Sequence, residues 1–254
     1  MVDTLTAGLG LAPALALVVA SFFASALTAA FGIGGGVAML ALLGYALPIQ
    51  ALIPVHGLVQ LGSNAGRAVT LRAHVRRDVL TPFALGAAVG AAVGAMTVVR
   101  LPEALLRTVL ALFVLAITWA KPPSAGRLSA GGLAAGGLLT TLATMFVGAT
   151  GPLVAALFAR TLTDRKQLVG TTAVAMSVQH FVKVVAFGFL GFAFSRFAPL
   201  VIAMIASGYL GTLSGARLLA AIPEKAFRLA FRLLLTALAL DLLRRGVTGL
   251  LVSP

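Results

Sequence analysis

Apolar residues fall into ten stretches, at about 11–31, 37–47, 51–66, 79–99, 104–120, 129–147, 152–159, 168–194, 197–220 and 226–243. A helix needs about 20 mainly apolar residues to cross the hydrocarbon of a bilayer. Most of the stretches approach that length, but 37–47 and 152–159 are too short to cross unaided. Each short stretch follows a glycine-rich break, Gly32-Ile33-Gly34-Gly35-Gly36 in one case and Gly148-Ala149-Thr150-Gly151-Pro152 in the other. The pattern predicts an all-α polytopic membrane protein with broken or short helices after the glycine motifs.

The breaks lie 116 residues apart, which points to duplication. Gly90-x3-Gly94-Ala95, Pro102-Glu103 and Arg107 recur as Gly211-x3-Gly215-Ala216, Pro223-Glu224 and Arg228, all at an offset of 121. Val59-Gln60 recurs as Val178-Gln179 at an offset of 119. The chain reads as two transmembrane repeats of about five helical elements each, residues 1–120 and 129–254, joined by a cytoplasmic linker at 121–128.

Loop charge sets the relative orientation of the repeats. The loop from Tyr45 to Gln50 is uncharged, while its second-half counterpart holds Arg160, Asp164, Arg165 and Lys166. Conversely, Arg67, Arg72, Arg76 and Arg77 follow the third stretch of the first half, where the second half offers only Arg196. Bases thus alternate between non-equivalent loops, as inverted-topology repeats require. With the basic loops inside, segments 67–78, 121–127, 160–166 and 217–228 are cytoplasmic and hold 12 of the 19 Lys and Arg. Both termini then face outward, and the Arg244-Arg245 pair is the misfit.

Composition adds the solvent. Hydrophobic residues make up 60% of the chain and charged residues 10%, against roughly 25% charged in soluble domains; the mean hydropathy is +1.09. So apolar a chain has more greasy surface than one core can hide, and its solvent is lipid. The net charge of +13 then belongs to loops at a membrane face, and no nucleic acid partner is expected. The absence of cysteine excludes disulfides and thiolate metal sites. Met1 to Thr4 lack a basic signal-peptide region, so 11–30 is expected to be a retained helix.

The glycine breaks are the first candidate chemistry. A half-helix beginning at membrane depth turns its free N–H groups and positive dipole end inward, where they can meet an anion; packing of small residues between helices is the alternative. Gly34, Gly35, Gly36, Thr150 and Gly151 are the candidate backbone ligands. The second feature is a polar stripe: His56, Gln60, Asn64 and Arg67, spaced four, four and three, share one helical face. His56, Gln60 and Asn64 join the candidate set, whereas Arg67 is counted with the basic loop. In the second half Thr172, Gln179 and Lys183 share a face, with His180 adjacent; Gln179, His180 and Lys183 are candidates. Lys183 lies deep in an apolar run, at a cost of at least about 2.5–3.5 kcal/mol, with no acid in the central part of any stretch. That excess of positive charge suits an anionic substrate; the alternative is that Lys183 caps the carbonyls of a broken helix. For His56 and His180, structural hydrogen bonding and function stand equal. No HExxH, GxSxG or intramembrane carboxylate pair is present, so no enzyme activity, metal or cofactor is expected. Pro102-Glu103 and Pro223-Glu224 read as helix starts and Trp119 as an interface anchor.

GIGGG at 32–36, Pro48, the polar third stretch and the arginine-rich loop after it resemble the first half of the sulfite exporter TauE/SafE family, also called the toluene sulfonate uptake permease family. GATGP at 148–152, with Asp164-Arg165-Lys166 and Gly170-Thr171-Thr172, resembles its second-half motif. The similarity covers nearly the whole chain. It departs at Thr150-Gly151-Pro152, which replaces a fuller glycine run, and near Leu52-Ile53, where a Gly-Thr-Ser pattern is usual. The resemblance implies a small multi-pass transporter of the bacterial inner membrane for sulfite, sulfoacetate, other sulfonates or related sulfur anions. Export is the expected direction, because an anion leaving a negative-inside cell gains about 2.3 kcal/mol per charge per 100 mV. His56 or His180 is available to carry a coupled proton. An anion channel or a non-transporting membrane partner subunit is the alternative. The expected partners are the small anion and the lipid bilayer, with a homodimer compatible.

Overall fold

The computed structural model describes residues 5–31, 34–98, 102–119, 127–218 and 224–252; Gly32, Ile33, Arg100, Lys121 to Gly126 and Pro223 lie outside them. The described residues form ten helices and no strand: α1 Leu11–Phe31, α2 Gly35–Ala46, α3 Ile49–Thr70, α4 Arg77–Val98, α5 Glu103–Trp119, α6 Ala130–Val147, α7 Gly151–Ala159, α8 Arg165–Phe189, α9 Ala198–Leu218 and α10 Glu224–Val252. Each apolar stretch becomes one helix, and the two after the glycine breaks are the short ones, with 12 and 9 residues.

Three boundaries differ from expectation, each for a local reason. Helix α8 stops at Phe189, not near 194, because Gly191 takes φ 85 and turns the chain into a 3₁₀ segment at Phe194–Phe197. Helix α10 runs past the Arg244-Arg245 pair, expected in an outer loop, because Asp241 binds both guanidiniums at 2.8 Å. Arg67, assigned to the basic loop, belongs to α3, which continues to Thr70.

Close packing pairs the helices across the two halves. Helix α9 lies parallel to α1: the Ser21 hydroxyl donates to the Met204 carbonyl at 2.7 Å and Ser207 to the Val18 carbonyl at 2.7 Å. A Cβ at Gly211 would collide with the Phe22 carbonyl and one at Gly215 with the Ala26 backbone. Helix α4 lies parallel to α6 in the same manner, Gly90 against the Leu138 carbonyl and Gly137 against that of Phe83. The glycines on both helix pairs therefore do the same job, letting two backbones approach. Helices α5 and α10 pair antiparallel, with Gly246 against Thr108 and the Trp119 indole donating to Thr236 at 3.0 Å. At the centre, α3 and α8 also cross antiparallel: Gly57 meets Lys183 at one end and Gly170 meets Leu71 at the other. Exchanging α1–α5 for α6–α10 maps these pairings onto one another.

The surface is the apolar part of the bundle. Leu11, Leu15, Val19 and Phe23 expose one face of α1, and Leu85, Val89, Val93 and Met96 one face of α4; His56, Gln179, His180 and Lys183 are buried inside. Among the described residues five helices are long and apolar enough to cross a membrane. Helix α3 has 22 residues and so spans about 33 Å, close to the hydrocarbon thickness. At its C-terminal end the Arg76 N–H donates to Thr171 at 3.0 Å and Arg165 to the Ala30 carbonyl at 2.6 Å, so residues 71–77 and 160–167 gather on one side. Residues 45–50 and 190–197 occupy the other, where Leu47, Ile49 and Phe197 share the core.

Gly90→Leu and Gly211→Leu are each expected to lower stability by about 1–3 kcal/mol through overpacking. Gly188→Leu, with no atom within 4 Å of its built Cβ, is expected to change nothing. Thermal unfolding in detergent checks this; equal stability of the three variants would refute the paired packing.

Candidate functional site

The two breaks are built differently but end at one place. Gly34 takes φ 106, open to glycine, and starts α2. The Gly35 N–H donates to the Thr28 hydroxyl at 3.1 Å, and that hydroxyl donates to the Ala24 carbonyl at 3.0 Å, pinning the half-helix to α1. A side chain at Gly35 would strike the Ala24 carbonyl, whereas one at Gly36 would face the Gln60 amide at 3.4 Å. At the second break Gly148, with φ 81, ends α6. Its carbonyl accepts from the Thr144 hydroxyl at 2.8 Å and from the Lys183 ammonium at 2.9 Å. Three residues later α7 begins at Gly151. Neither Gly34 nor Thr150 caps its half-helix with a side chain, so each helix start keeps its positive character.

Both starts open onto one cavity of about 40 Å³ between α3 and α8, room for roughly three waters by volume. Gly34, Gly36 and Gly151 bring backbone to it, α3 brings His56, Gln60, Asn64 and Arg67, and α8 brings Thr172 and His180. The His56 Nε2–H donates to the Gly36 carbonyl at 2.9 Å, and the His180 ring stands edge-on to His56 at 5.9 Å. Asn64 Nδ2 donates to the Gln60 carbonyl at 2.8 Å, and Asn64 Oδ1 accepts from Arg67 Nη1 at 3.1 Å. Four buried polar atoms on these walls lack any protein partner: His56 Nδ1, His180 Nδ1, Arg67 Nε and Thr172 Oγ1. Each costs about 1–3 kcal/mol if left unsatisfied, so their gathering in one place makes the cavity the candidate site for a polar ligand. No carboxylate is among the lining residues, and no cluster fit to hold a metal occurs among the described residues.

The sequence model of a family described as the sulfite exporter TauE/SafE family matches residues 17–242, taking in both breaks and the cavity. The chain belongs to the TauE/SafE family. No curated protein and no solved structure matches it. With several apolar membrane-length helices, this TauE/SafE chain is a multi-pass membrane protein of a transport family.

The cavity collects Gly34, Gly36, His56, Gln60, Asn64, Gly151 and His180 from the expected set. The other candidates stand one layer behind. Gly35 faces α1. Gln179 donates to the Thr140 and Thr141 hydroxyls at 2.8 Å each and accepts from Thr150 at 3.3 Å, tying α6, α7 and α8 together. Lys183 spends its ammonium on Gly148 and on Thr144 at 3.3 Å, the arrangement of a cation capping a broken helix. The sequence does not single out Arg67 and Thr172, which also line the cavity. Both lie on the polar stripes, but Arg67 counts by sequence with the basic loop beyond it.

Stability separates lining from support. Gln179→Leu strips three hydrogen bonds and is expected to cost about 1–3 kcal/mol. Thr172→Val removes a hydroxyl that has no partner, so stability should hold or rise. A thermal shift of the opposite order in detergent would contradict the hydrogen-bond assignment.

Proposed function

We propose that this TauE/SafE protein is a secondary transporter or facilitator that exports small sulfur oxyanions, sulfite or sulfonates, across the bacterial inner membrane. The observation that carries the reading is the convergence of two half-helix N-termini on one buried cavity without a lining carboxylate. Two positive dipole ends at membrane depth favour an anion and disfavour a cation. The family supports a sulfur anion as cargo. Gly34, Gly36 and Gly151 offer backbone, and His56, Gln60, Asn64 and His180 offer side chains. Gly35, Thr150, Gln179 and Lys183 hold those groups in place. Export down a negative-inside potential needs no coupling ion.

The halves function as inverted repeats. Their central helices α3 and α8 run antiparallel, and each first helix packs on the fourth helix of the other half. With the basic end at 71–77 and 160–167 placed in the cytoplasm, the two half-helices approach the cavity from opposite sides, the geometry of alternating access.

Two experiments test this. Gly36→Ala and Gly151→Ala place a methyl in a cavity of about 40 Å³, within ordinary contact distance of Gln60 and Met176. Each is expected to cut sulfite or sulfonate efflux from proteoliposomes roughly tenfold or more while leaving thermal stability unchanged. Full transport by both variants would remove the site. Single cysteines, introduced into a chain that has none, should label from the cytoplasmic side at 72–76 and 161–164 and from the opposite side at 45–50 and 191–195. Labelling of 72–76 and 45–50 from the same side would end the inverted arrangement.

A further inference from the structure

We infer that Arg67 is the charge partner of the transported anion and the residue that selects oxyanions over halides, through the free Nε edge of its guanidinium. The inference rests on the anion-transport reading and adds the recognition chemistry. Arg67 lies in the last turn of α3, where a long basic side chain ordinarily reaches water or its own helix carbonyls. Here it is 6% exposed and turned into the wall of the cavity. Among the described residues its one hydrogen bond is that from Nη1 to Asn64 Oδ1 at 3.1 Å. Asn64 cannot swing away, because its Nδ2 is held by the Gln60 carbonyl at 2.8 Å and by Gln60 Oε1 at 3.4 Å. The relay Gln60–Asn64–Arg67 climbs α3 turn by turn and holds the guanidinium by its Nη1, leaving Nε buried and without an acceptor.

Among the described residues no acid pairs with Arg67: Asp78 pairs with Arg76, Glu103 with Arg107, and Asp241 with Arg244 and Arg245. The other buried cation among the described residues, Lys183, is occupied by the Gly148 carbonyl. A buried guanidinium with a bare N–H is retained where a ligand completes it. The Thr172 hydroxyl, from the opposite helix, stands on the same cavity without a partner and supplies a further donor. A guanidinium edge presents parallel N–H groups that match two oxygens on one central atom, which an ammonium or a halide cannot reproduce.

The test is binding to purified full-length protein in detergent by calorimetry, with sulfite and methanesulfonate as probes and chloride as competitor. Thermal stability is measured on the same samples. Arg67→Gln is expected to weaken both oxyanions at least roughly thirtyfold. Arg67→Lys, which keeps the charge, is expected to bind anions but to lose the preference for methanesulfonate over chloride. Lys183→Met, which loosens the cap on the Gly148 carbonyl, is expected to weaken binding far less than Arg67→Gln. Arg67→Gln that binds sulfite as tightly as the native chain, or Arg67→Lys with an unaltered preference, overturns the assignment alone. A loss in Lys183→Met as large as that in Arg67→Gln moves the charge partner to Lys183 and also overturns it. Native protein that binds neither oxyanion overturns the transport reading together with this one.

Discussion

Inside a bilayer no water is present to satisfy a backbone N–H or C=O, and this one constraint organises the molecule. Continuous helices meet it internally, so a break in a helix at membrane depth survives only where something else takes the freed groups. Two such breaks are present, and each is answered by named atoms: the Thr28 hydroxyl at the start of α2, and the Lys183 ammonium with the Thr144 hydroxyl at the end of α6. What those atoms leave unanswered is the remainder of each half-helix start, and both remainders face one cavity.

The same constraint explains where polarity sits. Leucine, valine and phenylalanine cover the outside as well as the core, while glutamine, histidine, threonine, lysine and arginine are buried together beside the breaks. Polar side chains there are costly alone and stable in networks. The Gln179 amide, with three threonine hydroxyls around it, binds three helices at a single point. In front of that satisfied layer, on the cavity wall, lies an unsatisfied one, made of the Arg67, Thr172, His56 and His180 atoms that lack partners. The satisfied layer supplies rigidity, and the unsatisfied layer is where a ligand gains most from binding.

Glycine serves two separate purposes in this chain. At Gly90, Gly137, Gly211 and Gly215 it removes a Cβ so that two helix backbones can touch. At Gly34 and Gly148 it permits a positive φ that reverses or ends a helix. Gly36 and Gly151 differ again, since a side chain there would meet only the edge of Gln60 or Met176, so small size at these positions keeps the cavity open.

Much of this was legible in the sequence. Ten apolar stretches became ten helices, because spacing and length in a lipid solvent leave the chain few choices. The glycine breaks announced the half-helices, and four-residue spacing put His56, Gln60 and Asn64 on one face whatever the fold. Which face met which could not be read, since contact between residues more than a hundred positions apart depends on how helices cross. Lys183 and Arg67 show the difference. By sequence, Lys183 was the deep, unanswered cation and Arg67 a loop charge; in the folded chain the Gly148 carbonyl reaches Lys183, α3 extends one more turn, and Arg67 is the cation left facing the cavity. Local pattern determined the helices and their polar stripes. Only tertiary packing decided which charge found a partner, because a partner is a matter of distance in space.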